Sequence, residues 1–335
     1  MMSQAKASAS MVCPNCKVEC RRFGKHRNGL QRFNCRECGK TYTEEHAKPL
    51  GDMTIPIEKA ILALKLLVEG SSVRTIERTV ELHRDTICRL LVFAGERCER
   101  VMATKVRNIQ VRDVECDEVW SYVAKKQKRV RPEDDQSLGD AYCFVAIERN
   151  TKVVLNITMG KRNQQTTNVF IEGLAQAIAP RGNFQITTDG FRPYVSAIDA
   201  TLGHRVDFAQ LIKVYRSSQD GEARYSPAEV DSVEVVPVIG QPDPDRICTS
   251  MVERSNLSLR MGVRRFTRLT NAFSKKWENH WAAVTLWYTF YNFCRVHKSL
   301  RVTPGMVDRG AFGVISIASF RVARQFLGVR VAAVN

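Results

Sequence analysis

The chain has 335 residues, 44% of them apolar, and a formal net charge of +16 from 51 Lys and Arg against 35 Asp and Glu. The length allows two or three domains with buried cores, and so large a cationic excess implies a polyanionic partner, most often nucleic acid. The longest apolar run, residues 281–294, is too short to span a bilayer, and the opening MMSQAKASAS lacks the apolar centre of a signal peptide, so a cytoplasmic protein with no membrane partner is expected.

Residues 1–10 read as a frayed tail. Next, Cys13 and Cys16 form one C-x2-C pair, and Cys35 and Cys38 form another, with 18 residues between them. That spacing fits a four-cysteine zinc ribbon over 11–46, each pair turning two thiolates toward one tetrahedral ion. Four thiolates leave no open position, so the expected Zn2+ is structural. A segment this poor in apolar residues needs such a staple to fold. Cys20 and His26 break the paired spacing, and the other cysteines are scattered, as reduced cytosolic thiols are. Arg21, Arg22, Lys25, Arg27 and Arg32 make the segment basic.

After a linker over 47–54, residues 55–70 carry Ile57, Ile61, Leu64 and Val68 at helical spacing and stop at Gly70. Ser71 or Ser72 caps a second short helix, and a break at His83 leads to a third, long one. Three helices in this pattern fit a helix-turn-helix domain over 54–104, with Arg84, Asp85, Thr86 and Arg89 facing a DNA major groove. A three-helix bundle used for dimer contacts is the alternative.

From residue 107 the pattern changes to strands. Residues 111–123 (VRDVECDEVWSYV) carry Asp113, Glu115, Asp117 and Glu118, and acids gathered in a strand need a reason. Strands over 142–148 and 153–159 form a hairpin, a helix covers 164–179, and a strand over 183–189 ends in Asp189. A helix over 193–202 and a strand over 205–214 follow. This order, closed by a late helix at 249–260, predicts an α/β core over 107–306 of the ribonuclease H-like type, a mixed five-stranded sheet with helices. In that fold, acids on the first strand, the fourth strand and a late helix converge on metal ions. Here those positions are Asp117, Asp189 and Glu253.

The late helix opens on Thr249 and Ser250, both good N-caps, and Glu253 stands three residues beyond Ser250 as in a capping box. A carboxylate folded back onto the Ser250 amide could not also bind metal, so Thr249 or Ser250 is expected to cap without it. Glu253, Asn256 and Arg260 share one face. Arg254, Arg264, Arg265, Arg268, Lys275 and Lys276 follow without an intervening acid, as on a phosphate-tracking surface; a solvated helix face is the alternative. Trp277, Trp281 and Trp287 are expected in the core. The tail over 307–335 is assigned no role.

The cysteine pairs, VECDEVWSYV, ITTDGFRPYV, TSMVERSNLSLRMGVRRFTRLTNAFSKK and WYTFYNFCRVHKSLRVTPGM together resemble DDE transposases of the insertion-sequence-one family, over about residues 12–306. The resemblance implies cleavage and joining of DNA strands at the ends of a mobile element, with double-stranded DNA and a homo-oligomeric synaptic complex as partners. It implies Asp117, Asp189 and Glu253 as the catalytic triad, with Arg260 as the basic residue two turns along the same helix. Tyr291, Asn292, Arg295 and His297 match a signature shared with integrase cores. A polar excursion over 216–247 departs from the compact members. Chemically, two Mg2+ or Mn2+ ions held by three carboxylates suit phosphodiester transfer. Glu115, on the Asp117 face of its strand, competes for this role more seriously than Glu118 on the other face. A zinc-ribbon and helix-turn-helix regulator with an inactive core is the alternative function.

Overall fold

The computed structural model describes residues 11–26, 29–44, 50–215, 230–267 and 270–307. They divide into two compact units, one ending at Asp52 and one beginning at Met53.

The first unit is an antiparallel sheet in chain order: β1 (Met11–Val12), β2 (Glu19–Lys25), β3 (Gln31–Asn34) and β4 (Thr41–Thr43). Among the described residues its core cluster is Cys13, Cys20, Phe33 and Cys35, with Tyr42 packed beside them.

The second unit begins with three helices, α1 (Ile57–Val68), α2 (Val73–Val80) and α3 (Arg84–Lys105). Ser72 caps α2 by accepting from the Thr75 amide at 3.0 Å, one of the two serines expected there. Glu81 adopts the left-handed conformation that ends α2, and His83 caps α3. The buried face of α3 carries Ile87, Leu90, Leu91, Ala94, Cys98 and Met102. At Gly95 it meets α7 (Trp277–Phe293) so closely that an added Cβ would lie 2.5 Å from Ala282 Cβ.

The sheet of this unit comprises β5 (Asp113–Val123), β6 (Gly139–Glu148), β7 (Val154–Gly160), β8 (Phe184–Thr188), β9 (Val206–Tyr215) and β10 (Val230–Ile239). The order is β10-β9-β8-β5-β6-β7. β5, β6 and β7 form an antiparallel meander, while β8 pairs parallel to both β5 and β9. The result is a mixed α/β architecture. Helices α4 (Gln164–Ala177) and α5 (Pro193–Leu202) bury Phe170, Leu174, Tyr194 and Ile198 against Val114, Cys116, Phe144 and Ile186. Alternation along β5 therefore turns its even-numbered residues toward α4 and α5, and its odd-numbered ones toward α6 (Ser250–Gly262).

Six strands replace the expected five. The stretch read as an excursion contains β10, antiparallel to β9; residues 216–229 lie outside the described residues. Beyond β10 the chain returns to the sheet. Gln185 exchanges hydrogen bonds with the Asp243 backbone at 2.9 and 3.2 Å, and the Arg246 guanidinium donates to Asp113 at 2.7 Å. At the opposite edge, the Asn292 side-chain amide accepts from the Val154 amide at 3.0 Å and donates to its carbonyl at 2.8 Å. Asn292 thus serves β7 as a neighbouring strand would. The chain ends its described part in α8 (Pro304–Val307); the tail from 308 on lies outside it. No helix among the described residues is long and apolar enough to cross a membrane.

Candidate metal centres and active site

In the first unit the two cysteine pairs sit on two turns of the same design. Lys17 and Gly39, both at positive φ, donate to the carbonyls of Cys13 and Cys35 at 3.0 Å each. The Cys13 and Cys35 amides in turn donate to Val18 and Lys40. The Sγ atoms of Cys13, Cys16, Cys35 and Cys38 all lie within 4.8 Å of one another, with Cys13 and Cys38 at 3.7 Å. Sulfurs on one tetrahedral zinc stand about 3.8 Å apart, so this group could hold Zn2+. Tyr42 and the Cys16 amide hydrogen-bond to Cys13 and hold its thiol down at about 6, which favours the thiolate a metal needs. Cys20 is buried nearby but outside the group of four.

In the second unit the parallel register pairs Cys116 of β5 with Thr188 of β8. The next residue on each chain is Asp117 and Asp189, so strand pairing alone brings these two acids side by side. Asp189 follows directly on β8 and accepts from the Phe191 amide at 3.0 Å, opening the turn into α5. Glu253 reaches the same pocket from the first turn of α6. The pocket has a volume of about 680 Å3, and its lining includes Asp117, Asp189, Glu253, Arg162, Lys213 and Thr249.

The tightest group of acid oxygens differs from the expected triad. Asp117, Glu118 and Asp189 offer oxygens within 4.8 Å of one another, and Glu253 is not in that group. Oxygens on one magnesium stand about 3 to 4 Å apart, so small side-chain rotations fit the three to a divalent ion. Glu118 does lie on the other face of β5, beside Tyr194, yet its carboxylate comes around to Asp189 through Arg162. Arg162 donates to Glu118 and to Asp189 at 3.2 Å each and stacks 3.9 Å over the Phe191 ring. Glu253 is paired with Lys213 and accepts from the Thr249 hydroxyl at 2.7 Å. Burial pushes Asp117 up to about 6, against the pull of hydrogen bonds from the Glu118 amide and Asn256. Burial and then the Asp189 charge push Glu118 up to about 7.

The expected cap of α6 is corrected. Neither Thr249 nor Ser250 caps with its side chain, and Glu253 does not fold back onto the Ser250 amide. The cap comes from β5. Glu115 accepts from the Met251 and Val252 amides at 2.8 and 2.9 Å, which places a buried carboxylate at the positive end of the helix. The residue weighed as a rival metal ligand is the device that seats the helix.

No protein-family model matches the chain. Among characterised proteins, it is 33% identical over 90 residues to the insertion element iso-IS1N protein InsA of Shigella dysenteriae, an alignment covering 91% of that relative and 25% of this chain. The chain belongs to the insertion-element proteins. Of solved structures, this insertion-element protein is similar to a piggyBac transposase synaptic complex with hairpin DNA, at 10% identity and a TM-score of 0.38, over 83% of this chain and 73% of the other. The Mos1 mariner paired end complex with Mn is similar at 11% identity and a TM-score of 0.25, over 80% and 82% of the two chains. Likenesses this slight decide nothing about chemistry.

The insertion-element protein presents its other expected site residues away from the acids. Arg84, Thr86 and Arg89 lie in the first two turns of α3, with both arginines exposed. Arg254, Arg264, Lys275 and Lys276 are exposed and Arg265 is half-buried; Arg268 lies outside the described residues. Arg260, two turns beyond Glu253, does not line the pocket. Of the three tryptophans expected in the core, Trp287 is buried and stacked on Tyr291, whereas Trp277 and Trp281 are half-buried; His297 bonds Ser299 at 3.1 Å. Sequence reading missed Arg162 and Lys213 in the pocket; it placed Asn256 on the Glu253 face but not its hydrogen bond to Asp117. A helical residue three positions from Glu253 was the available signal for Asn256.

Proposed function

We propose that this insertion-element protein is a metal-dependent transposase of the insertion-sequence-one family, which binds the ends of its element and cleaves and joins DNA strands there. The convergence of Asp117, Asp189 and Glu253 from three separate elements on one pocket carries this reading. Their hard oxygen donors suit Mg2+ or Mn2+, two ions being what phosphodiester transfer uses; a bound ion of this kind stabilises charge on the attacking and leaving oxygens.

In this reading the core is ribonuclease H-like. Asp117, half-buried and held by Asn256, would bind the metal together with Asp189 and Glu253. Arg162 and Lys213 supply positive charge where a phosphodiester would lie, and Arg260 with the basic run after α6 follows the DNA away from the site. The four cysteines would hold one structural Zn2+, and α2 and α3 would serve as a helix-turn-helix that reads the element end. Two ends must be handled together, so a homo-oligomer is expected on DNA, within the cytoplasm.

The test uses purified full-length protein, magnesium and a labelled element-end duplex. Wild type should cleave the strand at the end and join it to target DNA. Asp189→Asn should abolish both steps and leave binding intact. An Asp189→Asn protein that cleaves normally would remove the site, and a wild type that binds without ever cleaving would favour a regulator.

A further inference from the structure

A second groove, of about 710 Å3, shares no lining residue with the acid pocket. It runs between the three-helix segment and the stretch that joins α6 to α7. Its cations are Arg74 of α2, Arg84 at the start of α3, and Arg264, Arg265 and Lys275 from the joining stretch; its acid is Asp85. Asp85 faces His83 at 3.5 Å, and among the described residues no guanidinium or ammonium group of the five has an acid as partner; Glu77 accepts only from the Arg84 backbone amide. Arg265 is the half-buried one. The histidine behind it, His280, has both ring nitrogens engaged, by Ser121 at 2.7 Å and Ser274 at 3.0 Å. It leaves no acceptor for the guanidinium. Asn279, also on the groove, has a buried Oδ1 without a partner.

A guanidinium held in a groove without a counter-charge is an arrangement completed by an anion. Five cations contributed by three elements suit a chain of anions more than a single one. The first turn of α3 links this groove to the reading surface, because Arg84 and Asp85 line the groove while Thr86 and Arg89 do not. The joining stretch continues directly from the helix that carries Glu253.

We propose that this groove holds a sugar–phosphate strand of the same DNA duplex that α3 enters, with Arg265 contacting a phosphate at its centre. The reading helix and the chain following the Glu253 helix then grip one DNA molecule together. The inference rests on the transposase reading for the presence of DNA.

Binding of a labelled mixed-sequence duplex to the full-length protein, measured by fluorescence anisotropy over a series of salt concentrations, tests it. Arg265→Gln should weaken binding about three- to tenfold and lower the slope of log affinity against log salt by about one, while Arg265→Lys keeps most of the slope. Unchanged affinity and slope in Arg265→Gln, with an unchanged melting curve, overturns the inference. A second measurement needs no variant. The duplex should slow alkylation of Cys88, which lines the groove, by N-ethylmaleimide, and leave Cys294, which does not, at its free rate. Equal Cys88 rates with and without duplex also overturn it. The two readings separate cleanly: a wild type that binds no duplex removes both, whereas a wild type weakened by Arg89→Gln but not by Arg265→Gln removes the groove alone.

Discussion

Asn256 donates a hydrogen bond of 2.8 Å to Asp117, joining α6 to the middle of β5 at the centre of the acid pocket. The bond orients one carboxylate oxygen while the Glu118 amide holds the other at 2.8 Å. Asp117 is therefore aimed before any ion arrives. Asn256→Ala should lower Mn2+ affinity, measured by calorimetry, and strand cleavage by about 10- to 100-fold each, the range seen when an outer partner of a metal ligand is lost. Equal Mn2+ affinities in variant and wild type would show that Asp117 holds its aim unaided.

Glu115 should behave as a structural residue with a catalytic consequence. Glu115→Ala removes the acceptor for two amides of α6 and should cost about 2 kcal/mol in urea denaturation; Glu115→Gln, which keeps one acceptor, should cost about 1 kcal/mol. Both should retain the same metal stoichiometry as wild type. A change in that number would instead make Glu115 a ligand.

The acid pocket also sets a pH dependence. Asp117 titrates at about 6 and Glu118 at about 7 in the fold, both raised by burial above ordinary carboxylates. Between about pH 4 and pH 7 the folded, metal-free protein thus binds more protons than the unfolded chain. Their contribution makes the fold less stable as pH rises through that window. Metal binding requires the ionised forms, so Mn2+ affinity should rise across the same range. Melting curves without metal should fall in wild type relative to Asp117→Asn as pH increases, and added Mn2+ should reverse the order. Parallel curves for the two proteins would mean that Asp117 carries no raised titration.

The cysteine group predicts one zinc per chain by elemental analysis and its loss in Cys35→Ser. The first unit has a small apolar cluster of Cys13, Cys20, Phe33 and Cys35, so its fold is expected to depend on such an ion. Hydrogen exchange should show residues 11–44 losing protection in Cys35→Ser while the second unit keeps its own. Full protection without zinc would leave the small core sufficient by itself.

Much of the architecture was legible where local pattern and burial agree. The meander, the parallel strand leading into Asp189 and the long α3 follow from period-two and helical spacing, and acids in β5 stood out because strands rarely carry them. β10 was hidden for a physical reason. It is an exposed edge strand, with Val233 and Val235 at 53% and 45% exposure, so it buries too little to mark itself amid polar and proline-rich neighbours. The roles of Glu115 and Glu118 were hidden for another. Sequence tells which face of β5 each occupies, but not that α6 would land its amides on Glu115, or that Arg162 would draw Glu118 toward Asp189. Such contacts join residues far apart in the chain and exist only once the layers have packed. The expected side-chain cap from Thr249 or Ser250 failed for the same reason, because a better acceptor arrived from the sheet.

The Asn292 clamp on Val154 has a consequence for how the protein behaves in a crowded cell. β7 is an outer strand of the sheet, and an outer strand with free amides and carbonyls invites another chain to pair with it. By occupying both groups of Val154, one side-chain amide breaks the ladder that a stray strand would need. What looks like a packing detail at the end of α7 is a guard against self-association, built from two fully buried residues, Val154 and Asn292.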